Sequence, residues 1–116
     1  MKIISLNEVS KGPVDLEGAS NVEKQVPVGA ADGSPVFCFR VFTISPDGHT
    51  PYHQHPFEHI NYVIEGEGVL VKENGEHIPI RKGDFALVLP DEVHQYRNTA
   101  KENDLVVICA VPKEFE

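Results

Sequence analysis

HQHPFEHINYVIEG, residues His53 to Gly66, sets three histidines into seven positions and then runs on as a β-branched, aromatic stretch. Side chains alternate faces along an extended chain, so the odd-numbered His53, His55 and His59 start on one side. Pro56 has no N–H to give to a ladder and ends regular pairing there. His59 must therefore return through a bend and open the next strand. A strand end and a neighbouring strand that bring imidazoles together suit a metal. Neutral ring nitrogens bind borderline divalent ions at about 2.0–2.2 Å, and strands hold them with little loss of side-chain freedom. A single histidine of this kind reads as a hydrogen-bonded core or surface residue. The HxH-x3-H spacing turns the reading toward a metal site.

Outward from this segment the chain reads as short strands. PVFCFRVFTI (Pro35–Ile44) is the strongest strand signal, with Arg40 its single charge. It is apolar on both faces, which suits a strand covered by the core on one side and by a second sheet or subunit on the other. Arg40 reads first as an outward charge on a rim, since buried arginines are rare, and second as an inward group for an anionic substrate. SPDGHT (Ser45–Thr50) is expected to turn the chain, with His49 solvated. Further strands are expected at Pro51–His55, His59–Glu65, Gly68–Lys72, Glu76–Ile80, Phe85–Pro90, His94–Asn98 and Leu105–Val111. Asn74-Gly75 reads as a type I′ hairpin turn, and His77 beyond it as a surface residue.

Ahead of Pro35, residues 1–6 read as an edge strand, Ser10–Ser20 as irregular, Val22–Val28 as a strand and Ala30–Pro35 as a loop. Nine glycines and nine prolines punctuate these runs, and no window holds a helical period. The pattern predicts an all-β sandwich or barrel of jelly-roll type, a single domain over residues 1–116.

Composition narrows the function classes. The chain has 116 residues, 41% hydrophobic and 24% charged, as in an ordinary globular domain with one core. A net charge of -8 argues against nucleic acid and against anionic membrane surfaces as partners. The apolar run at the N-terminus is too short for a signal peptide, and no segment has the length of a membrane span. Cys38 and Cys109 lie inside apolar runs and read as buried reduced thiols, which suits a cytoplasmic protein. No serine stands in an elbow context, and the acids of Glu65-Gly66-Glu67-Gly68 would repel a phosphate.

The segment from His53 to Gly66 resembles the first motif of the cupin superfamily, HxH-x3-E-x6-G, with His59 in the place of the usual glutamate. The second cupin motif, G-x5–7-P-x-G-x2-H-x3-N, is matched by Gly83, Pro90, His94 and Asn98. Its Pro90–His94 turn is one residue short and carries Glu92 at the common glycine, and Gly48 stands one residue nearer His53 than usual. The resemblance runs from Pro35 to Pro112. It implies a cupin-type jelly-roll β-barrel, or double-stranded β-helix, with its core at about residues 35–112 and N-terminal strands over 1–34. It also brings in His94 as a fourth ligand. The chain is similar to a small subgroup of single-domain bacterial cupins with an HxHPWEH segment and a four-histidine centre, Phe57 standing for the tryptophan. That likeness implies one divalent transition metal, manganese first, with iron, nickel, copper or zinc as alternatives. Glu58 and His59 face opposite ways on a strand, so one ion does not take both, and His59 fits the register. With imidazoles only, the ion keeps its full +2 charge and is the stronger Lewis acid.

The function expected on these grounds is that of a metal-dependent oxygenase of dioxygenase type, acting on a small oxygenated organic molecule. Apolar side chains surround the ligands, and no acid–base pair is evident for hydrolysis. An isomerase or lyase is the alternative, and it needs a general base, Glu58 or Tyr96. A barrel that binds a small molecule without turnover is the third reading. Cys109 reads as a plain buried thiol or as an oxidisable neighbour of the metal. Phe39, Phe57, Tyr62 and Tyr96 read equally as pocket wall and as core. The apolar outer face of Pro35–Ile44 predicts a homodimer, since similar cupins pair through such sheets.

Overall fold

The strand that starts after Pro35 runs further than expected. In the computed structural model, which describes all 116 residues, nine strands are formed. They are β1 Gly12–Pro13, β2 Ser20–Val28, β3 Phe37–His49, β4 His59–Glu65, β5 Glu67–Lys72, β6 His77–Arg81, β7 Phe85–Val88, β8 His94–Asn98 and β9 Leu105–Pro112. All pair antiparallel in one curled sheet of order β6-β5-β8-β3-β9-β4-β7, with β2 on β3 and β1 on β2. This is the all-β jelly-roll barrel expected. Its only helices are single 3-10 turns, and no helix is long and apolar enough to cross a membrane.

Four expectations need correction. Ser45–Thr50 is no turn, because pairing resumes after a bulge: Val22 faces Ile44, yet Ser20 already faces His49. The extra residues bend β3 so that its end passes from β9 to β8, where His49 faces Arg97. Residues 1–6 form no strand; the Gln25 side-chain amide instead donates to the Leu6 and Val9 carbonyls at 2.8 and 2.9 Å. Pro51–His55 forms only a single bridge, His53 to His94, since the prolines at both ends offer no ladder donors. The Glu73–Gly75 hairpin is a three-residue loop, not type I′: Gly75 alone has positive φ, and its N–H donates to the Lys72 carbonyl.

Register places the interior side chains in rows. Phe42, Val107 and Val63 form one row across β3, β9 and β4; Arg40, Cys109 and Asn61 form the next. His59 and Val111 lie one step beyond. The main apolar cluster, including Val22, Ile44, Val63, Leu105 and Val107, fills the barrel below the Arg40 row. Cys38, Cys109 and Val111 form a second cluster beside the histidine end. On the outside, Phe39, Ala110, Ile60 and Leu87 make one apolar row across four strands, and Val41, Ile108, Tyr62 and Phe85 make another.

Gly66, the last residue of the opening motif, shows why the motif needs glycine. It holds φ +85° between β4 and β5, and an added Cβ would overlap the Asp104 carbonyl. Both faults act at once, so Gly66→Ala is expected to cost on the order of 3 kcal/mol, read as a fall in the denaturant midpoint.

Candidate metal centre

Each histidine takes its place from a backbone feature. His59 opens β4 and His94 opens β8. His53 is drawn to His94 by two backbone bonds, 3.2 and 2.9 Å, and His55 follows at the end of the same segment. The His94 ring lies 4.9 Å, centroid to centroid, from each of His53, His55 and His59. His55 lies 5.3 Å from His53 and 5.1 Å from His59. His53, His55 and His94 each present one ring nitrogen within 4.8 Å of the others, a group able to hold a metal ion. His59 joins this group through His94, their Nε2 atoms 3.2 Å apart. His53 stands at the open rim, whereas His59 and His94 are only 4% and 5% exposed.

Which nitrogen of each ring is free follows from its neighbours. His55 Nδ1 lies 2.7 Å from the Phe57 carbonyl, and His94 Nδ1 lies 2.8 Å from that of Glu92. A carbonyl only accepts, so both Nδ1 atoms carry the proton and both Nε2 atoms bear a lone pair. His59 Nδ1 lies 2.7 Å from Asn61 Oδ1. The Asn61 amide is oriented because its Nδ2 donates to the Ile108 carbonyl and its Oδ1 accepts the Tyr96 hydroxyl at 2.7 Å. His59 is thus the same tautomer. The Nε2 lone pairs of His59 and His94 face each other with no proton between them, an arrangement that a cation relieves. Oriented imidazoles with oxygen partners behind them are the usual construction of a metal site, and these residues fit one.

Burial, and then the neighbouring His94, lowers His59 to about 3 and His53 to about 4; burial also lowers His94. All three are therefore neutral at pH 7. In the unfolded chain they titrate near 6.5, so below that pH the unfolded state binds more protons than the native state. Stability is complete above pH 6.5 and falls as the pH drops toward the native values. His59 alone is expected to remove about 1.4 kcal/mol per pH unit, read as the melting temperature of metal-stripped protein between pH 7 and 4.5.

The histidines open on a cavity of about 130 Å³. Its wall is mostly apolar, with Phe42, Ile44 and Val107 from the barrel and Val14, Leu16 and Ala19 from the N-terminal segment. Tyr96 is buried on this wall, and burial raises its phenol well above the usual range, so it stays a hydroxyl that donates to Asn61. Glu58 is exposed and off the cavity wall. Neither residue stands ready as a base. Cys109, 1% exposed, lines the cavity and accepts from Arg40 Nη2 at 3.0 Å.

Arg40 points inward, contrary to the first reading, because the bulge in β3 lies beyond it and leaves its even-numbered residues facing the barrel. Phe57 lines the cavity and stacks on His55 at 3.9 Å, with Phe115 stacked on its far side at 4.2 Å. Phe39 and Tyr62 belong to the outer rows and are not cavity wall. His77 is exposed on β6; His49 is half-buried, its Nδ1 3.4 Å from Gln95 Nε2, and not simply solvated. Asn61 was open to discovery from its parity with His59 alone. Glu116 and Phe115 carried no such signal.

A curled antiparallel barrel with histidines at one end and an apolar interior defines a cupin. The chain belongs to the Cupin_2 family, whose cupin domain model matches residues 40–111. The polyketide cyclase RemF from Streptomyces resistomycificus is a similar solved structure, with TM-score 0.91 and 26% identity over 97% of this chain and 79% of its own. A predicted oxalate decarboxylase from Thermotoga maritima shares the fold with TM-score 0.83 and 23% identity, over 97% of this chain and 99% of its own. A gentisate 1,2-dioxygenase from a Streptomyces species is 27% identical over 74 residues, 64% of this chain. The match spans only 21% of that dioxygenase.

Proposed function

We propose that this cupin is an enzyme that binds one divalent transition metal, manganese first, through His53, His55, His59 and His94, and transforms a small oxygenated molecule in the adjoining cavity. The observation that carries the reading is the donor set. It consists of imidazoles, three with Nδ1 engaged by an oxygen, and no carboxylate lines the cavity. Bound there, such an ion supplies Lewis acidity toward a carbonyl or phenol oxygen and, as manganese or iron, redox chemistry with dioxygen. The chain does the rest. Asn61 holds the His59 ring, Tyr96 holds Asn61, and the apolar wall keeps out water that would screen charge in the site.

Cyclisation of a carbonyl compound is the first reading, supported by the likeness to RemF along nearly the whole chain. The oxygenase reading stands second, supported by the dioxygenase match. The two separate in one experiment on manganese- and zinc-loaded protein. Uptake of solvent deuterium at the methyl carbon of acetophenone, unchanged under anaerobic conditions, supports carbonyl chemistry. Oxygen consumption with gentisate, lost anaerobically, supports the oxygenase. Saturable binding of either compound without chemical change leaves a binding module and overturns the enzyme.

A second copy of this chain covers the two outer apolar rows, where Phe85 and Leu87 are 75% and 59% exposed. Isolated strands of this kind rarely present such rows to water. Phe85→Asp is expected to convert a dimer into a monomer by sedimentation equilibrium at micromolar concentration. A monomeric parent protein would contradict the pairing.

A further inference from the structure

Arg40 is the only side chain on the cavity wall that carries a permanent charge. Its side chain is 16% exposed, and its partners are poor for a buried cation. Nη2 donates to a thiol sulfur, a weak acceptor. Nε is 3.5 Å from Glu116 Oε2 but makes no hydrogen bond, although it is out of water. The Glu116 carboxylate is also held by Lys24 Nζ, 3.0 Å from its other oxygen. The Phe42 ring centroid, 5.1 Å from the guanidinium carbon, offers a cation–π contact and no hydrogen-bond acceptor. A guanidinium offers a rigid fork of N–H groups that matches a carboxylate, and burial strengthens the match. Across the sheet, Arg40 lies in the row of Asn61, which holds His59. Arg40 and the four histidines line the same cavity.

We propose that Arg40 is the specificity-determining residue of this cavity, taking the anionic oxygens of the substrate, a carboxylate or ionised phenol, in place of Glu116. The substrate class is then a small planar acid, its anionic end on Arg40 and a second oxygen toward the histidines. This rests on the cavity being the substrate site, as proposed above.

The test is titration calorimetry with 2-hydroxybenzoate and its uncharged counterpart 2-hydroxybenzamide, on metal-loaded and metal-stripped protein. The acid is expected to bind at least tenfold tighter than the amide in both preparations. Arg40→Gln should abolish that preference with metal content unchanged, and Glu116→Gln should tighten the acid severalfold by weakening its competitor. Arg40→Lys, which keeps the charge and loses the fork, should weaken the acid severalfold, and it serves where Arg40→Gln does not fold by circular dichroism. Equal binding of acid and amide, no saturable binding of the acid, or a preference that survives Arg40→Gln overturns the inference. So does an Arg40→Lys variant with parental affinity. Absence of metal by elemental analysis, with the acid preference intact, would sink the metal reading and leave this one standing.

Discussion

His94→Ala is expected to reduce bound metal from one ion per chain to a trace, with affinity down by at least ~100-fold. The size of the effect follows from position. His94 is the ring that meets each of the other three, and it lines up with His59 at 3.2 Å. Its backbone also holds His53 in place. Removing the ring takes away an imidazole that pairs with all three others, and the His59 lone pair loses its counterpart. Elemental analysis after dialysis reads the result directly, and His77→Ala, exposed on β6, is the control. Metal retained at one equivalent by His94→Ala would place the ion elsewhere.

The second large effect is at Asn61. Its Oδ1 accepts from both His59 and Tyr96 inside the barrel, so Asn61→Leu strands two buried donors while keeping the volume. Each stranded donor costs about 1–3 kcal/mol, giving an expected loss of about 2–6 kcal/mol in unfolding free energy. Metal affinity is expected to fall by about 10–100-fold, because the His59 ring loses its orienting partner. Asn61→Asp accepts both bonds and should restore metal binding. Failure of that rescue would mean that the residue only fills space.

Most of the barrel was legible in the residues because its strands obey the alternation of a half-buried sheet. His59–Glu65 and His94–Asn98 have the bounds that pattern gives them. The bulge at Ser45–Gly48 was not legible, since a serine, proline, aspartate and glycine run signals a turn and only pairing with β2 keeps it in the sheet. The same long-range pairing decides which way Arg40 points. His53, His55 and His59 declared themselves by spacing, and His94 by resemblance alone. Tyr96 was legible as an inward residue but not as a locked donor, because its role depends on an amide from another strand. Phe115 and Glu116 reach the site from the far end of the chain, which no local pattern foretells.

The bridge between His53 and His94 is two backbone bonds wide and joins segments separated by four whole strands. An ion seated on those rings would act as a clasp on that excursion, shutting a long chain loop at its narrowest point. Amide hydrogens at His53 and His94 should then exchange quickly in stripped protein and slow down once the clasp is fastened, while those in the centre of β9 stay put in either case.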